Sequence, residues 1–313
     1  MHKHTSTEII TPEEDAVQRK IALIEQRLPQ VKALEECCRL CPRNCEVNRI
    51  AGEVGTCRIG SEPSYSSANL HFGEEPPISG FAGSGTIFMT GCNLNCKFCQ
   101  NFPISQLRHG NNCTIEELAG KMLRLQAQGA HNINFVTPTH QAAAIFKSLL
   151  IAYNDGLHIP LVYNSGGYES LEMLNLWDGI IDIYMPDSKY GDDNVAMDCS
   201  NAPLYIKHNR VALKEMHRQV GILQISADGL AQRGLLIRHL VLPGGLAGSR
   251  EVLKFIAEEI SPDTYLSVMS QYFPAHKAIG DRKLDRRISK REFKNVVDML
   301  DEFNLQNGWV QPL

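Results

Sequence analysis

No apolar run in this 313-residue chain approaches the roughly 20 residues that a membrane-crossing helix needs. The first ten residues hold His2, Lys3, His4 and several hydroxyls but no apolar stretch, so they do not read as a secretion signal. Both absences point to a cytoplasmic protein with no membrane partner. Charge of one sign is missing too: 31 Lys and Arg against 35 Asp and Glu leave a net −4, which gives nucleic acid no electrostatic footprint. There is no repeat of solenoid period and no low-complexity tail, and Gly83-Ser84-Gly85 is too little for a phosphate-binding loop. What is left is ordinary globular composition, 43% hydrophobic and 21% charged, at a length that suits one barrel-sized domain.

Cysteine is the residue in excess. Ten of them without an export signal belong in a reducing compartment, where groups of cysteines read as metal or redox sites before disulfides. The densest group is Gly91-Cys92-Asn93-Leu94-Asn95-Cys96-Lys97-Phe98-Cys99-Gln100-Asn101. Three thiols spaced by three and then two residues, after an apolar run, can be brought to one side of a short turn, where soft ligands hold iron or zinc. Three protein ligands on a four-iron cluster leave one iron open for another ligand, whereas a structural site is normally closed by a fourth. The plain alternative is three small core residues; the flanking Asn and Gly argue against it. Cluster ligation also predicts an oxygen-poor, anaerobic setting.

A second group lies upstream. Val17, Ile21, Ile24, Leu28, Val31 and Leu34 recur at helical steps from Pro12 to about Glu36, which predicts an amphipathic helix interrupted at Pro29. After it, Cys38, Cys41, Cys45 and Cys57, with Gly52 and Gly55 among them, suit a closed four-thiolate site for zinc or a second iron–sulfur cluster. Residues 61–84 are rich in Pro, Gly, Ser and Glu and read as irregular chain, either a linker or a cover for the cluster mouth.

From Gly85 the pattern alternates. Strands are expected at Thr86–Met89, Asn132–Val136, Pro160–Tyr163, Ile180–Met185, Leu235–Leu242 and Tyr265–Met269. Helices are expected from Thr114, which forms a capping box with Glu117, to about Gln128, and at Gln141–Tyr153, Leu171–Trp177, within 193–220, and at Arg250–Ile260. Ser289 and Glu292 start a last helix to about Phe303. Six strand–helix units predict an α/β fold, a partial (β/α)6 barrel of TIM type with an N-terminal Cys-rich extension. The expected organisation is a helical and Cys-rich region with linker over 1–84, a barrel over 85–280 and a C-terminal helix over 281–313. In such barrels the working residues sit at the carboxyl ends of the strands. That rule selects Cys92, Cys96 and Cys99, Thr137 to His140, Asn164 and Ser165, Asp187 and Lys189, Arg238 and His239, and Ser270 to Tyr272.

The cysteine spacing, with Phe98 before the third cysteine, resembles the signature of the radical S-adenosylmethionine (SAM) superfamily. The segments 38–45 and 73–80 extend the resemblance to its pyruvate formate-lyase-activating-enzyme-like branch. That resemblance implies a [4Fe–4S] cluster on Cys92, Cys96 and Cys99 and SAM on the open iron. One-electron cleavage of SAM would then give a 5′-deoxyadenosyl radical that abstracts hydrogen. It implies cofactor contacts from Phe98, Thr137, Thr139, Asn164, Ser165, Asp187, Lys189, Arg238 and Gln271. Lys189 or Arg238 would meet the SAM carboxylate. It also implies an electron donor such as flavodoxin or ferredoxin, and as hydrogen donor a glycyl-radical enzyme, another protein or a small molecule. One departure stands out: much of the superfamily has Gly-Gly-Glu where this chain has Thr137-Pro138-Thr139, and the dense eight-cysteine ferredoxin insert of some activases is absent. His140, His239, His276 and Asp182 are read first as structural groups, and Cys113 and Cys199 as ordinary residues. The rival class is a non-catalytic metal protein, either an iron–sulfur electron carrier or a zinc-stabilised binding module.

Overall fold

The computed structural model describes residues 11–313. Helix α1 (Pro12–Glu36) opens on a capping box in which Thr11 accepts from the Glu14 amide and Glu14 accepts from that of Thr11. It runs unbroken through Pro29, contrary to the expected interruption. Pro29 is exposed, so water can satisfy the carbonyl one turn back that loses its amide partner.

Residues 61–84 are not irregular. They hold strand β1 (Ser64–His71) and a single helical turn, α2 (Pro76–Ser79). Pattern alone misses β1 because its sequence, SYSSANLH, lacks apolar alternation; its order comes from antiparallel pairing along the whole of β2 (Ser84–Met89). The chain continues through α3 (Phe102–Ser105), β3 (Asn111–Asn112) and α4 (Ile115–Ala127), the last opened by the expected Thr114/Glu117 capping box. Then follow β4 (Ile133–Val136), α5 (Ala142–Asn154), β5 (Leu161–Ser165), α6 (Leu171–Trp177) and β6 (Ile183–Pro186). The stretch expected to hold helical material does so as α7 (Asp193–Ser200) and α8 (Tyr205–Val220). A short β7 (Gln224–Ile225) pairs with the long β8 (Ala231–Leu240). After α9 (Ser249–Phe255) and a π-helical turn at Ile256–Ile260 come β9 (Tyr265–Met269), α10 (Lys290–Glu302) and β10 (Gly308–Val310).

The sheet order is β10-β9-β8-β6-β5-β4-β2-β1-β3. The six expected strands, β2, β4, β5, β6, β8 and β9, pair in parallel in that order, and α4 to α9 fall between them in sequence. This is the partial (β/α)6 barrel. The C-terminal residues add more than a helix, because β10 lies parallel on β9 as a further strand. Among the described residues β10 and β3 end the sheet and do not meet, so the barrel is open.

The larger apolar core lies between sheet and helices, around Ile87, Phe135, Phe146, Tyr163 and Trp177. A smaller one fills the barrel itself: Val162, Ile183, Met185 and Leu236 surround Ile78 of α2, which is fully buried. The turn carrying Ile78 enters from the amino-terminal end of the strands. His71 pairs with Ser84 at the start of β2, and Asn132, just before β4, donates to the Ile78 carbonyl at 2.8 Å. The stretch read as linker or cover is therefore the floor of the barrel, on the side away from the cysteine loop. No helix among the described residues is long and apolar enough to cross a membrane. Because Ile78 is the plug, Ile78→Ala should cost about 2–5 kcal/mol of stability, read as a lower urea midpoint at unchanged slope.

Candidate functional site

The cysteine loop follows β2 at the carboxyl end of the parallel strands and is held from several directions. Gly91 turns it with φ +76, and a Cβ there would come within 2.7 Å of Ile59 Cγ1, 3.0 Å of His140 Nε2 and 3.1 Å of the Cys57 carbonyl. Arg43 Nε donates to the Asn93 carbonyl at 2.8 Å, and the Asn93 side-chain Nδ2 donates to the Tyr168 carbonyl at 2.7 Å. The amides of Asn95 and Lys97 bond the carbonyls of Ser200 and Cys199, and the Lys97 carbonyl accepts from Ala278.

Each of the three sulfurs has a hydrogen-bonding neighbour. The Leu94 amide donates to Cys92 Sγ at 3.3 Å, the Ser200 hydroxyl donates to Cys96 Sγ at 2.9 Å, and Ser105 Oγ lies 3.1 Å from Cys99 Sγ. None of the cysteines is in a disulfide. Burial pushes the Cys92 thiol well up and that of Cys96 up to about 11, the latter despite the nearby Lys189 ammonium. As thiols they stay protonated; metal ligation would make them thiolates. Among the described residues no three His, Cys, Asp or Glu converge on a single-ion position. In a cubane each of three such cysteines would bind a different iron. Amide and hydroxyl donors aimed at sulfur suit thiolates, so the residues present fit the group.

Beside this loop, a cavity of about 450 Å³ occupies the barrel mouth and interior. Its wall includes Cys96, Phe98, Cys99, Asn164, Asp187, Lys189, Arg238 and Gln271, so six of the nine expected cofactor contacts meet there. Cys92 lies behind the wall, and Thr137, Thr139 and Ser165 do not line it. The Thr139 hydroxyl is committed to Glu169 at 2.7 Å, and Ser165 Oγ accepts from the Gly167 amide.

Sequence reasoning missed Glu74 and Glu75, which reach the same cavity from the floor. Two acids directly before Pro76-Pro77 were the available signal, hidden by the reading of the segment as linker. Arg238 joins the two levels. Its guanidinium donates to Asp187 at 3.0 Å and to Asn164 Oδ1 at 2.6 Å, and reaches Glu74 at 3.5 Å; Lys189 donates to the other Asp187 oxygen. Burial alone would raise the Asp187 carboxyl, but Lys189 and Arg238 outweigh it and hold the group below the usual carboxylate range. Burial likewise opposes the charge on Arg238, and Asp187, Glu75 and Glu74 together more than restore it. Glu74 goes the other way: burial dominates and raises it despite Arg238. One Glu75 carboxylate oxygen is buried without a partner.

The candidate histidines are structural in their bonding. Burial lowers His140 to about 4, so its neutral ring can donate from Nε2 to the Thr90 carbonyl at 2.7 Å. His239 bridges the Ser188 carbonyl and the Ser249 hydroxyl, and His276 stacks on Phe102 at 4.8 Å. Asp182 faces away from the mouth and is tied to Lys20 of α1 and to the Leu161 amide.

The N-terminal cysteines rest against the same loop. Arg49 donates to the His140 carbonyl at 2.7 Å and to the Ile59 carbonyl at 3.0 Å. The Thr56 amide donates to Cys45 Sγ at 3.4 Å. Burial raises both Cys38 and Cys41.

An open parallel barrel, a three-thiol loop after its first parallel strand and a charged cavity at the strand ends define an α/β barrel protein with a candidate iron–sulfur centre. The uncharacterized protein MJ0674 of Methanocaldococcus jannaschii is 31% identical over 296 residues, covering 90% of this chain and 80% of the relative, and the chain belongs to the family of that protein. No family model matches. Among solved structures, methylornithine synthase (PylB) aligns with a TM-score of 0.47 at 11% identity, over 96% of this chain and 75% of that one.

Glu169 behind the mouth gives a direct pH test. Burial raises its carboxyl to about 7, against hydrogen bonds from Thr139 and Tyr163 that favour the charge. A raised folded-state value means that its stabilisation is whole below the unfolded value near 4.5 and is lost as pH rises through about 7, a loss of about 3 kcal/mol. His140, lowered from 6.5, slopes oppositely at the acid side. Glu169→Gln should therefore gain stability relative to the parent between pH 4.5 and 8, measured by urea unfolding at both ends.

Proposed function

We propose that this chain is a radical SAM enzyme with a [4Fe–4S] cluster on Cys92, Cys96 and Cys99. The observation that carries the reading is the loop itself: a Cys-x3-Cys-x2-Cys turn at the carboxyl end of the first parallel strand, each sulfur beside a hydrogen-bonding group, next to a cavity sized for a small ligand. When bound, the cluster and SAM supply one-electron cleavage to methionine and a 5′-deoxyadenosyl radical that abstracts hydrogen.

The chain's own residues bind and orient. Arg238 and Lys189 present cationic donors suited to a carboxylate, and Asn164 and Gln271 offer amides to the polar parts of a nucleoside. Both cations are already paired with Asp187, so a ligand carboxylate shares them instead of meeting a bare charge. Thr139 is spent on Glu169, which moves the binding of an ammonium group to the carboxylates of the cavity wall, Asp187, Glu74 and Glu75. Ile78 and the α2 turn close the barrel from below and keep water from that side.

The finer reading, activation of a partner enzyme through hydrogen abstraction from a backbone glycine, is supported by the resemblance of segments 38–45 and 73–80. The N-terminal quartet Cys38, Cys41, Cys45 and Cys57 is proposed as a second metal site, zinc or a further cluster, on the support of its spacing and of the Thr56 amide that donates to Cys45 Sγ. A closed structural site needs four ligands; the four thiols do not converge on a single-ion position as they stand, so a metal would have to draw them together.

Protein purified anaerobically and reconstituted with iron and sulfide should form 5′-deoxyadenosine from SAM and dithionite. A full cluster with no such product would sink the reading. For the second site, changing Cys92, Cys96 and Cys99 to Ala should leave zinc or iron bound, by elemental analysis, and adding Cys38→Ala and Cys41→Ala should remove it.

A further inference from the structure

The floor of the barrel holds a carboxylate with no partner. Glu75 is the N-cap residue of α2, and a side chain in that position ordinarily accepts from the amide two or three residues on. Here the sequence removes or diverts those donors. Pro76 and Pro77 have no N–H, and the amides of Ile78 and Ser79 both donate to the Glu75 carbonyl, at 2.9 and 3.1 Å. The side chain makes no capping bond; the residue is only 7% exposed, and one carboxylate oxygen is buried with no donor facing it.

A buried carboxylate without a partner is costly, and the cations nearby are engaged elsewhere. Arg238 bonds Asp187 at 3.0 Å and Asn164 at 2.6 Å, and of the two floor acids it reaches Glu74, at 3.5 Å; Lys189 is bonded to Asp187. The cavity wall thus sets three acids, Glu74, Glu75 and Asp187, against two fixed cations, and the unmatched acid is at the floor. The histidine of the wall, His71, packs edge-on against Phe88 at 5.6 Å. The sides of the cavity are apolar: Phe88, Val136, Leu240, Met269 and Trp309 line it, and Trp309 packs on the small core that contains Ile78, at the level of the floor turn. A bare carboxylate at the base of an apolar, aromatic wall suits a cation that carries carbon. A metal ion is poorly served, because among the described residues no three His, Cys, Asp or Glu converge on one position.

We propose that the barrel floor binds a small organic cation, an ammonium group on an aliphatic chain, with Glu75 as its counter-ion. The ammonium supplies the donors that the Glu-Pro-Pro sequence withholds, and the chain lies along the apolar wall beside Trp309. Binding itself is independent of iron; the ligand's role as the molecule that loses hydrogen rests on the radical SAM reading above. In that reading Asp187, beside Lys189 at the cysteine end of the cavity, serves the ammonium of SAM, and the floor holds the second reactant. No bond forms or breaks when the cation binds.

The test needs no iron in its first arm. Pentylammonium and its uncharged and anionic analogues, pentan-1-ol and pentanoate, are titrated into the full chain by ligand-observed NMR, with Glu75→Gln alongside. Pentylammonium should bind at least tenfold more tightly than either analogue, and at least tenfold more weakly to Glu75→Gln than to the parent. The variant should melt at or above the parent temperature, because it removes a buried charge that has no partner; a lower melting temperature shows a structural bond to Glu75 and overturns the proposal. So does the absence of any preference for the ammonium, equal binding by parent and variant, or displacement of the probe by millimolar magnesium chloride, which makes this a metal site. In the second arm, with the cluster reconstituted and SAM added, pentylammonium should still bind; its displacement by SAM assigns Glu75 to the cofactor and overturns the floor site. If pentylammonium binds through Glu75 but the reconstituted protein forms no 5′-deoxyadenosine, the floor site stands and the radical reading alone fails.

Discussion

Arg238 is the interaction on which the barrel interior depends. A guanidinium placed there loses hydration worth several kcal/mol, and only a matched set of acceptors makes the position tolerable. It bonds Asp187 after β6 and Asn164 on β5, and reaches Glu74 beneath the barrel. One side chain from β8 thereby fixes the spacing of two neighbouring strand ends and draws the floor turn into register with the mouth. The backbone follows the same logic, since the Ser188 amide donates to the Arg238 carbonyl at 2.8 Å. Replacing such a network by apolar residues can preserve a fold; it would remove the polar wall of the cavity.

Much of this arrangement is legible locally. The capping boxes at Thr114/Glu117 and Ser289/Glu292 are short-range signals, and both open helices where expected. The six parallel strands announce themselves as buried apolar runs. What the chain hides is set by distant partners. β1 is a strand because β2 lies along it, and β10 is three residues that exist as a strand only against β9. Glu74 and Glu75 look like solvated loop acids until the turn that carries them is seen inside the barrel. The candidate contacts divide in the same way: Asn164, Asp187 and Arg238, on or just after the strand ends, reach the cavity, whereas the hydroxyls of Thr139 and of Ser165, the last residue of β5, are used up locally.

Thr137 shows sequence and backbone telling different stories. A left-handed backbone is one that glycine adopts freely and a β-branched residue does not. Here a β-branched residue adopts φ +60, a conformation costing of order 1–3 kcal/mol unless its surroundings enforce it. The enforcement is visible: the Thr137 amide donates to the Asn164 carbonyl at 2.8 Å, and the buried Thr139, His140 and Gln141 anchor the chain that follows. Thr137 therefore holds a turn that glycine would adopt without strain.

The cysteine loop itself contains no regular structure between β2 and α3, yet it is gripped on every side. The extension supplies Arg43 and the close approach of Ile59 and Cys57 to Gly91; the β5–α6 connection supplies the Tyr168 carbonyl; the end of α7 supplies two backbone carbonyls and the Ser200 hydroxyl; the segment after β9 supplies Ala278. A short loop that must order on binding a cofactor loses conformational entropy at that moment, roughly 1–2 kcal/mol per residue of backbone. Contacts from four separate segments move that loss into folding, so the three sulfurs are positioned beforehand and binding energy goes into affinity. The same contacts explain why the Cys-rich extension belongs to the site. Cys57 stands against Gly91, one residue from Cys92, so any metal that tightens the extension also tightens the loop that carries the candidate cluster.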